Sequence, residues 1–280
     1  MALRLRSELV GLELGPCTSN WEARDAILYA LGIGARADRD LDFLYEGRGP
    51  RVMPTFGVLA GQTILPELFE RVEAPWKLGL HAEQALSLER PLPAVGQVRT
   101  RGFVSEVWDK GQAALVRIES ETADDAGVLL RNSALIYLPG AGGFGGERGP
   151  SSSRPGEAGP PDLEARDVTS PEQAALYRLS GDRNPLHIDP SFAARAGFQA
   201  PILHGLCSFG FASRLLLDHY AAGDDGRFQS FRARFSGPVY PGDQLFLRAW
   251  KRSYGLVGGD LRTDRGEAAL TGIEFAWKAD

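Results

Sequence analysis

Apolar and polar residues alternate along several stretches of this chain. At the C-terminal end Ile273, Phe275 and Trp277 share one face at a period of two, which predicts a strand. The same pattern predicts strands over residues 97–108, 113–121 and 129–138, and again over 228–236, 244–252 and 269–277. Helical patterning precedes each run of strands. Ser19-x-x-Glu22 in one half, and Ser170 with Pro171 and Gln173 in the other, read as capping signals, with stops near Gly32 and Gly181. A second, more apolar helix follows a Pro-led turn in each half, over residues 55–71 and 204–220. Helices grouped ahead of antiparallel strands predict an α+β fold, with a sheet wrapped around one long helix per half.

The two halves resemble each other. Ala26 to Tyr29 matches Ala174 to Tyr177, Pro54 to Gly57 matches Pro201 to Gly205, and Pro91 to Pro93 matches Pro238 to Pro241. All three pairs lie about 147 residues apart, which points to a duplicated unit. Between the halves, residues 141–161 are rich in Gly, Pro and Ser and cannot hold a packed core. The expected division is an N-terminal unit over 1–140, this linker, and a C-terminal unit over 162–280. Phe144 lies among the glycines of 142–146 and marks a part of the linker that can pack.

Composition narrows the function. At 43% hydrophobic and 24% charged, the 280 residues are those of a globular protein. Thirty-one basic against 36 acidic residues leave a net charge of −5, which argues against nucleic-acid binding through bulk positive charge. Two cysteines, Cys17 and Cys207, are too few for a disulfide scaffold. Glu8 and Glu13 interrupt any secretory leader, and the longest charge-free stretch, 196–213, contains Pro201 and His204 and reads as core. A cytoplasmic protein without a membrane span is expected. Four histidines with no ligand spacing among them argue against a metal site.

The candidate chemistry lies in residues 177–206. Asp182, Asn184 and His187 are close together, and Pro185 prevents a regular helix through them. Asp189 and Pro190 then start a short helix that stops at Gly197, so the cluster sits on a loop between helices. A carboxylate and an imidazole so mounted can hold a water and move protons both ways. Ordinary turn chemistry would give the same Asp-x-Asn-Pro string. At Gly205 the long helix begins, and its free N–H can polarise a carbonyl oxygen with help from the helix dipole. Tight packing alone would also select a glycine there. His204 reads as packed or ligand-lining.

The string Tyr177-x-Leu179-Ser180-Gly181-Asp182-x-Asn184-Pro185-Leu186-His187, followed by Gly197-Phe198 and Pro201 to Gly205, resembles the signature of the hydratase 2 family, the (R)-specific enoyl-CoA hydratases or MaoC-like dehydratases. The first half is similar to the two-domain type, the hydratase part of peroxisomal multifunctional enzyme type 2. It matches through Pro54 to Val58, His81-x-Glu83-Gln84, Asp109-Lys110-Gly111 and Gly142 to Gly146. This resemblance implies a double hot-dog fold and reversible hydration of a trans-2-enoyl-CoA to an (R)-3-hydroxyacyl-CoA, without a cofactor. It implies that Asp182 and His187 are the acid–base pair, that Asn184 orients them or the water, and that Gly205 polarises the thioester. His81, Lys110, His204, Arg234 and Phe235 are then expected to contact substrate. Where the family has Gly after the matching histidine, this chain has Ala82.

The first-half counterparts of Asp182 and His187 fall near Gly34 and Arg39, so one active site per chain is expected, with the acyl tail housed in the first half. Gly57, Val58, Leu59 and Gly61 are candidate tail-lining residues, or simply core. A homodimer of such chains is compatible with the duplication. Two other functions are compatible with the same residues: a hot-dog acyl-CoA thioesterase, and a non-catalytic acyl-thioester binding protein.

Overall fold

The computed structural model of the chain describes residues 3–150 and 159–278. Ten strands form its main sheet: β1 (Glu13–Trp21), β2 (Leu80–Leu88), β3 (Gly96–Asp109), β4 (Ala113–Asp124), β5 (Gly127–Pro139), β6 (Leu163–Val168), β7 (Phe228–Phe235), β8 (Gln244–Ser253), β9 (Leu256–Thr263) and β10 (Ala268–Trp277). Their order is β1-β3-β4-β5-β2-β7-β10-β9-β8-β6, antiparallel throughout. Each half repeats one five-strand plan. Pairing of β2 with β7, from Glu83 opposite Arg234 to Ser87 opposite Ser230, fuses the halves edge to edge. The architecture is thus the expected double hot-dog, with its two sheets joined into one.

The helices are α1 (Ala23–Gly32), α2 (Val58–Gln62), α3 (Leu65–Arg71), α4 (Gln173–Tyr177), α5 (Pro190–Arg195) and α6 (Gly205–Ala221). α6 is the expected long helix, and from Leu206 to Leu217 it is buried on every side. Its counterpart over 55–71 does not form as one helix. A 3-10 turn at Pro54–Gly57 leads into α2, and the chain breaks before α3. At the break the Thr63 hydroxyl donates to the Ala60 carbonyl at 2.7 Å, and Pro66, which has no N–H, falls in the first turn of the next helix.

Other boundaries also move. Ser19 lies inside β1, and Glu22 itself caps α1 in a reciprocal box with Asp25. The first helix of the second half ends at Tyr177, and a 3-10 turn over Arg178–Ser180 carries the chain to Gly181 at φ 135°. β1, β2, β6 and β9 were not anticipated. In β9 two glycines blur the alternation, and a side chain at Gly259 would meet the Arg248 carbonyl at 2.5 Å.

The first part of the linker is ordered. The Asp109 carboxylate accepts the N–H groups of Gly111, Gly143 and Gly145 at 2.7–2.9 Å, and Phe144 packs on a core that includes Val104, Val116 and Leu138. Those donors hold the Asp109 carboxyl down at about 2. The Ser-rich remainder, 151–158, lies outside the described residues.

Candidate active site

Pro185 opens a 3-10 turn, Pro185–His187, whose N-cap is Asn184. The Asn184 side-chain oxygen accepts the Leu186 N–H at 3.0 Å, while the Asn184 N–H donates to an Asp182 oxygen at 3.0 Å. Asn184 therefore folds the loop and aims Asp182. Asp189 caps α5 through the Ser191 and Phe192 N–H groups, as its position suggests. The loop is held at both ends.

His187 is buried, and its Nδ1 lies 2.8 Å from the Ile202 carbonyl. A carbonyl only accepts, so Nδ1 carries the proton and Nε2 keeps its lone pair. Nε2 faces the Asp182 carboxylate across 4.0 Å, and the Asp182 side chain is 43% exposed. That gap is too long for a direct hydrogen bond and leaves both groups able to bind one water between them. Burial lowers the His187 pKa, opposed by the Ile202 hydrogen bond and the Asp182 charge. The ring is neutral at pH 7 and able to accept a proton.

His204 stacks on His187 with centroids 3.7 Å apart, and its Nε2 donates to the Asp182 carbonyl at 3.1 Å. Burial, followed by the His187 ring, pushes His204 down to about 4. Asp182, His187 and His204 thus bring ligand atoms within 4.8 Å of one another, a cluster that linear spacing hid. Ring lone pairs lie in the ring plane. Rings stacked face to face with a 27° tilt cannot aim theirs at one ion at an ordinary ~2.0 Å bond length. The arrangement suits proton transfer better than chelation.

Gly205 is the first residue of α6, so its N–H has no partner within the helix. A Cβ at Gly205 would lie 2.8 Å from the Phe235 ring, so close packing and amide access both require glycine. Phe235 also meets His81, with centroids 4.8 Å apart. The His81 Nε2 is buried without a partner, and burial drives its pKa down to about 4.

His81 and Phe235 wall an open cleft of about 910 Å³, together with Trp108, Lys110, Arg148 and Arg234. Asp182 and His187 are not part of that wall, but Asp182 is near enough for its charge to act on His81. Lys110 donates to the Pro150 carbonyl at 3.0 Å and lies over the Trp108 ring. Arg234 pairs with Glu83 at 2.9 Å. Glu83 is 2% exposed and also binds Arg117 and Arg232, which lower its pKa to about 2 against the cost of burial. Sequence reasoning missed Arg117 and Arg148. The signal for Arg148 was the Asp109 and Gly142–Gly146 motifs, which together place the end of the glycine loop against the cleft.

His81 also borders a smaller cavity of about 150 Å³ in the first half, beneath α2. Val58 and Gly61 line it. Gly57 and Leu59 face a separate cavity of about 290 Å³ on the other side of α2.

Comparison with known proteins finds relatives of both halves. The MFE-2 hydratase 2 N-terminal domain matches residues 19–140, and the MaoC like domain matches residues 153–268. The enoyl-CoA hydratase ChsH3 of Mycobacterium tuberculosis is 39% identical over 276 residues, 95% of this chain and 96% of that protein. The chain belongs to the MaoC-like hydratase family. A MaoC-like dehydratase from Phytophthora capsici superposes with a TM-score of 0.84 at 33% identity, over 99% of this chain and 97% of that one. The peroxisomal multifunctional enzyme type 2 of Drosophila melanogaster gives the same TM-score at 36% identity, over 96% of this chain but only 49% of that longer protein.

Proposed function

We propose that this chain adds water across the double bond of a trans-2-enoyl-CoA to give an (R)-3-hydroxyacyl-CoA, and catalyses the reverse dehydration, in fatty-acid metabolism. The observation that carries this reading is the 4.0 Å space between His187 Nε2 and the Asp182 carboxylate, beside the free amide of Gly205. A water held there gives its oxygen to C3. The pair takes a proton from that water and returns one to C2, so the elements of water add without remainder. Negative charge gathers on the thioester oxygen, where the Gly205 N–H and the α6 dipole stabilise it. The thioester already acidifies C2, so the chemistry needs no cofactor.

Lys110 and Arg148 supply positive charge to the cleft for the CoA phosphates, and His81 and Phe235 separate that cleft from the reacting carbons. His204 fixes the stacking face of His187. A cytoplasmic site accords with the two free cysteines. Among the described residues no helix is long and apolar enough to cross a membrane. The duplicated chain supplies its own pairing of halves, and a further homodimer is measurable by sedimentation.

Crotonyl-CoA tests the reaction. Enoyl absorbance is expected to fall with no release of free thiol, and the product to be the (R)-alcohol. Thiol release would favour a thioesterase, and no reaction at all would leave a binding protein.

A further inference from the structure

Four cations wall the cleft, and they fall into two classes. Arg117 and Arg234 are paired with Glu83, at 3.1 and 2.9 Å, so their charge is compensated within the wall. Lys110 and Arg148 form no ion pair among the described residues. The uncompensated positive charge of the cleft therefore sits on these two side chains. Both belong to one local structure, the turn between β3 and β4 and the glycine loop folded onto it.

Asp109, the last residue of β3, holds that structure together. It is 6% exposed, and its carboxylate accepts the N–H groups of Gly111, Gly143 and Gly145 at 2.8, 2.9 and 2.7 Å. Gly143 and Gly145 have positive φ, 84° and 80°, and Phe144 between them does not. That alternation turns backbone N–H groups to one side and makes a cradle for an anion. Here the chain fills the cradle with its own carboxylate. The Asp109 N–H also donates to the Glu147 carbonyl at 2.8 Å. A Cβ at Gly142 would lie 2.5 Å from the Ala113 carbonyl, and one at Gly149 would lie 2.4 Å from the Trp108 ring. The loop thus lies flat on the turn, and Lys110 closes its end through the Pro150 carbonyl at 3.0 Å. Arg148 is anchored through the residues on either side of it, while its own side chain is exposed in the cleft. On a loose Gly- and Pro-rich segment, gripping a phosphate would cost the ordering of the whole segment; here the backbone is fixed beforehand.

Resting on the hydratase reading, we propose that Asp109 is a positioning residue for the CoA end of the substrate. By holding the glycine loop on the β3–β4 turn, it sets Arg148, with Lys110, where the two charges meet the CoA phosphates. Asp109 acts through the loop and does not touch the substrate, because its oxygens are taken by backbone donors.

The test compares crotonyl-CoA with crotonyl-pantetheine, which presents the same thioester without a phosphate. Asp109→Asn replaces a charged acceptor by an amide that turns a donor towards the loop N–H groups. It is expected to raise KM for crotonyl-CoA at least about tenfold and to change kcat less than about threefold. For crotonyl-pantetheine, kcat/KM is expected to change less than about threefold. Arg148→Ala, at an exposed position, is expected to show the same split between the two substrates. The double variant is expected to be no more than about twofold worse than Asp109→Asn, because both changes remove one contact. An unchanged KM for crotonyl-CoA in either single variant overturns the proposal. So does an equal loss on both substrates, through unfolding or otherwise, or a double variant in which the two effects multiply. If the wild type hydrated neither thioester, the hydratase reading would fail separately, and calorimetry with CoA and pantetheine would decide. Tighter binding of CoA that Asp109→Asn weakens at least about tenfold supports the positioning role. No preference for CoA, or one that Asp109→Asn leaves intact, overturns it.

Discussion

The two halves share one strand plan but differ in what lies inside it. In the second half α6 runs unbroken for 17 residues, buried through Phe209, Phe211 and Leu216, and fills the curve of the sheet. In the first half the same stretch is a 3-10 turn and two short helices, and the space left over is a cavity. The second half carries Asp182 and His187 on a loop pinned by Asn184 and Asp189. At the equivalent place the first half has Gly34 and Arg39, and Arg39 is engaged with Asp167 at 2.7 Å in an ion pair between the halves. The two copies have therefore diverged in structure. The half that keeps a full helix keeps the helix N-terminus and the loop of Asp182 and His187, and the half that loses the helix is left with a cavity.

The largest test of this comparison is to remove chemistry from one half only. Asp182→Asn and His187→Ala are each expected to lower kcat by about 10²–10⁴ with little change in substrate affinity, whereas Arg39→Gln changes kcat by less than about threefold. Steady-state kinetics on crotonyl-CoA reads all three. Full turnover in both active-site variants would end the assignment of the second half as the catalytic one.

Next in size is the difference in packing. Phe211→Ala on α6 is expected to cost about 3–5 kcal/mol, because the ring is wholly buried. Phe69→Ala on α3, where the residue is 40% exposed, costs about 1 kcal/mol or less. Urea unfolding gives both values, and equal losses would mean that the broken helix is as well packed as the intact one.

Gly205→Pro sharpens the role of the α6 amide. Proline suits the first helical position, and His204 at φ −60°, ψ 136° accepts a following proline, but the N–H is gone. A fall in kcat of about 10²–10³ is expected. Gly205→Ala serves as the control, since it crowds Phe235 in a similar way and keeps the donor. If the alanine variant lost as much as the proline one, the glycine would serve packing alone.

The smallest effect is on pH dependence. His81 and His204 have folded-state pKa values of about 4, below the ordinary ~6.5. Between those values the unfolded chain binds more protons than the folded one, so stability is full above about 6.5 and declines as pH falls towards about 4. Urea midpoints at about pH 7 and about pH 5 should show the decline, and His204→Gln should reduce it. A midpoint unchanged between the two would place both rings in contact with solvent.

Much of this was legible without coordinates. Strand alternation, the caps at Asp189 and Pro190, and the repeat spacing are local or additive signals, set by residues near one another in the chain. The string from Gly181 to His187 was legible because Pro185 forbids a helix and forces its polar groups together. Strands β1, β2, β6 and β9 were harder, since glycines and mixed burial erase a period of two. The break in the first-half helix was missed because Thr63 and Pro66 weaken a helix without forbidding it, and packing on the sheet decides between one helix and two.

The order of residues determined that the chain is duplicated, that one copy keeps an acid and an imidazole on a short rigid loop, and that a helix begins at a bare glycine. These follow from backbone chemistry that acts within a few residues. Tertiary structure alone decided that His204 stacks on His187, that His81 and Phe235 stand between the site and the cleft, and that β2 pairs with β7 to make one sheet of two. Those contacts join residues far apart in the chain. They depend on which surfaces exclude water together, and no local pattern records that.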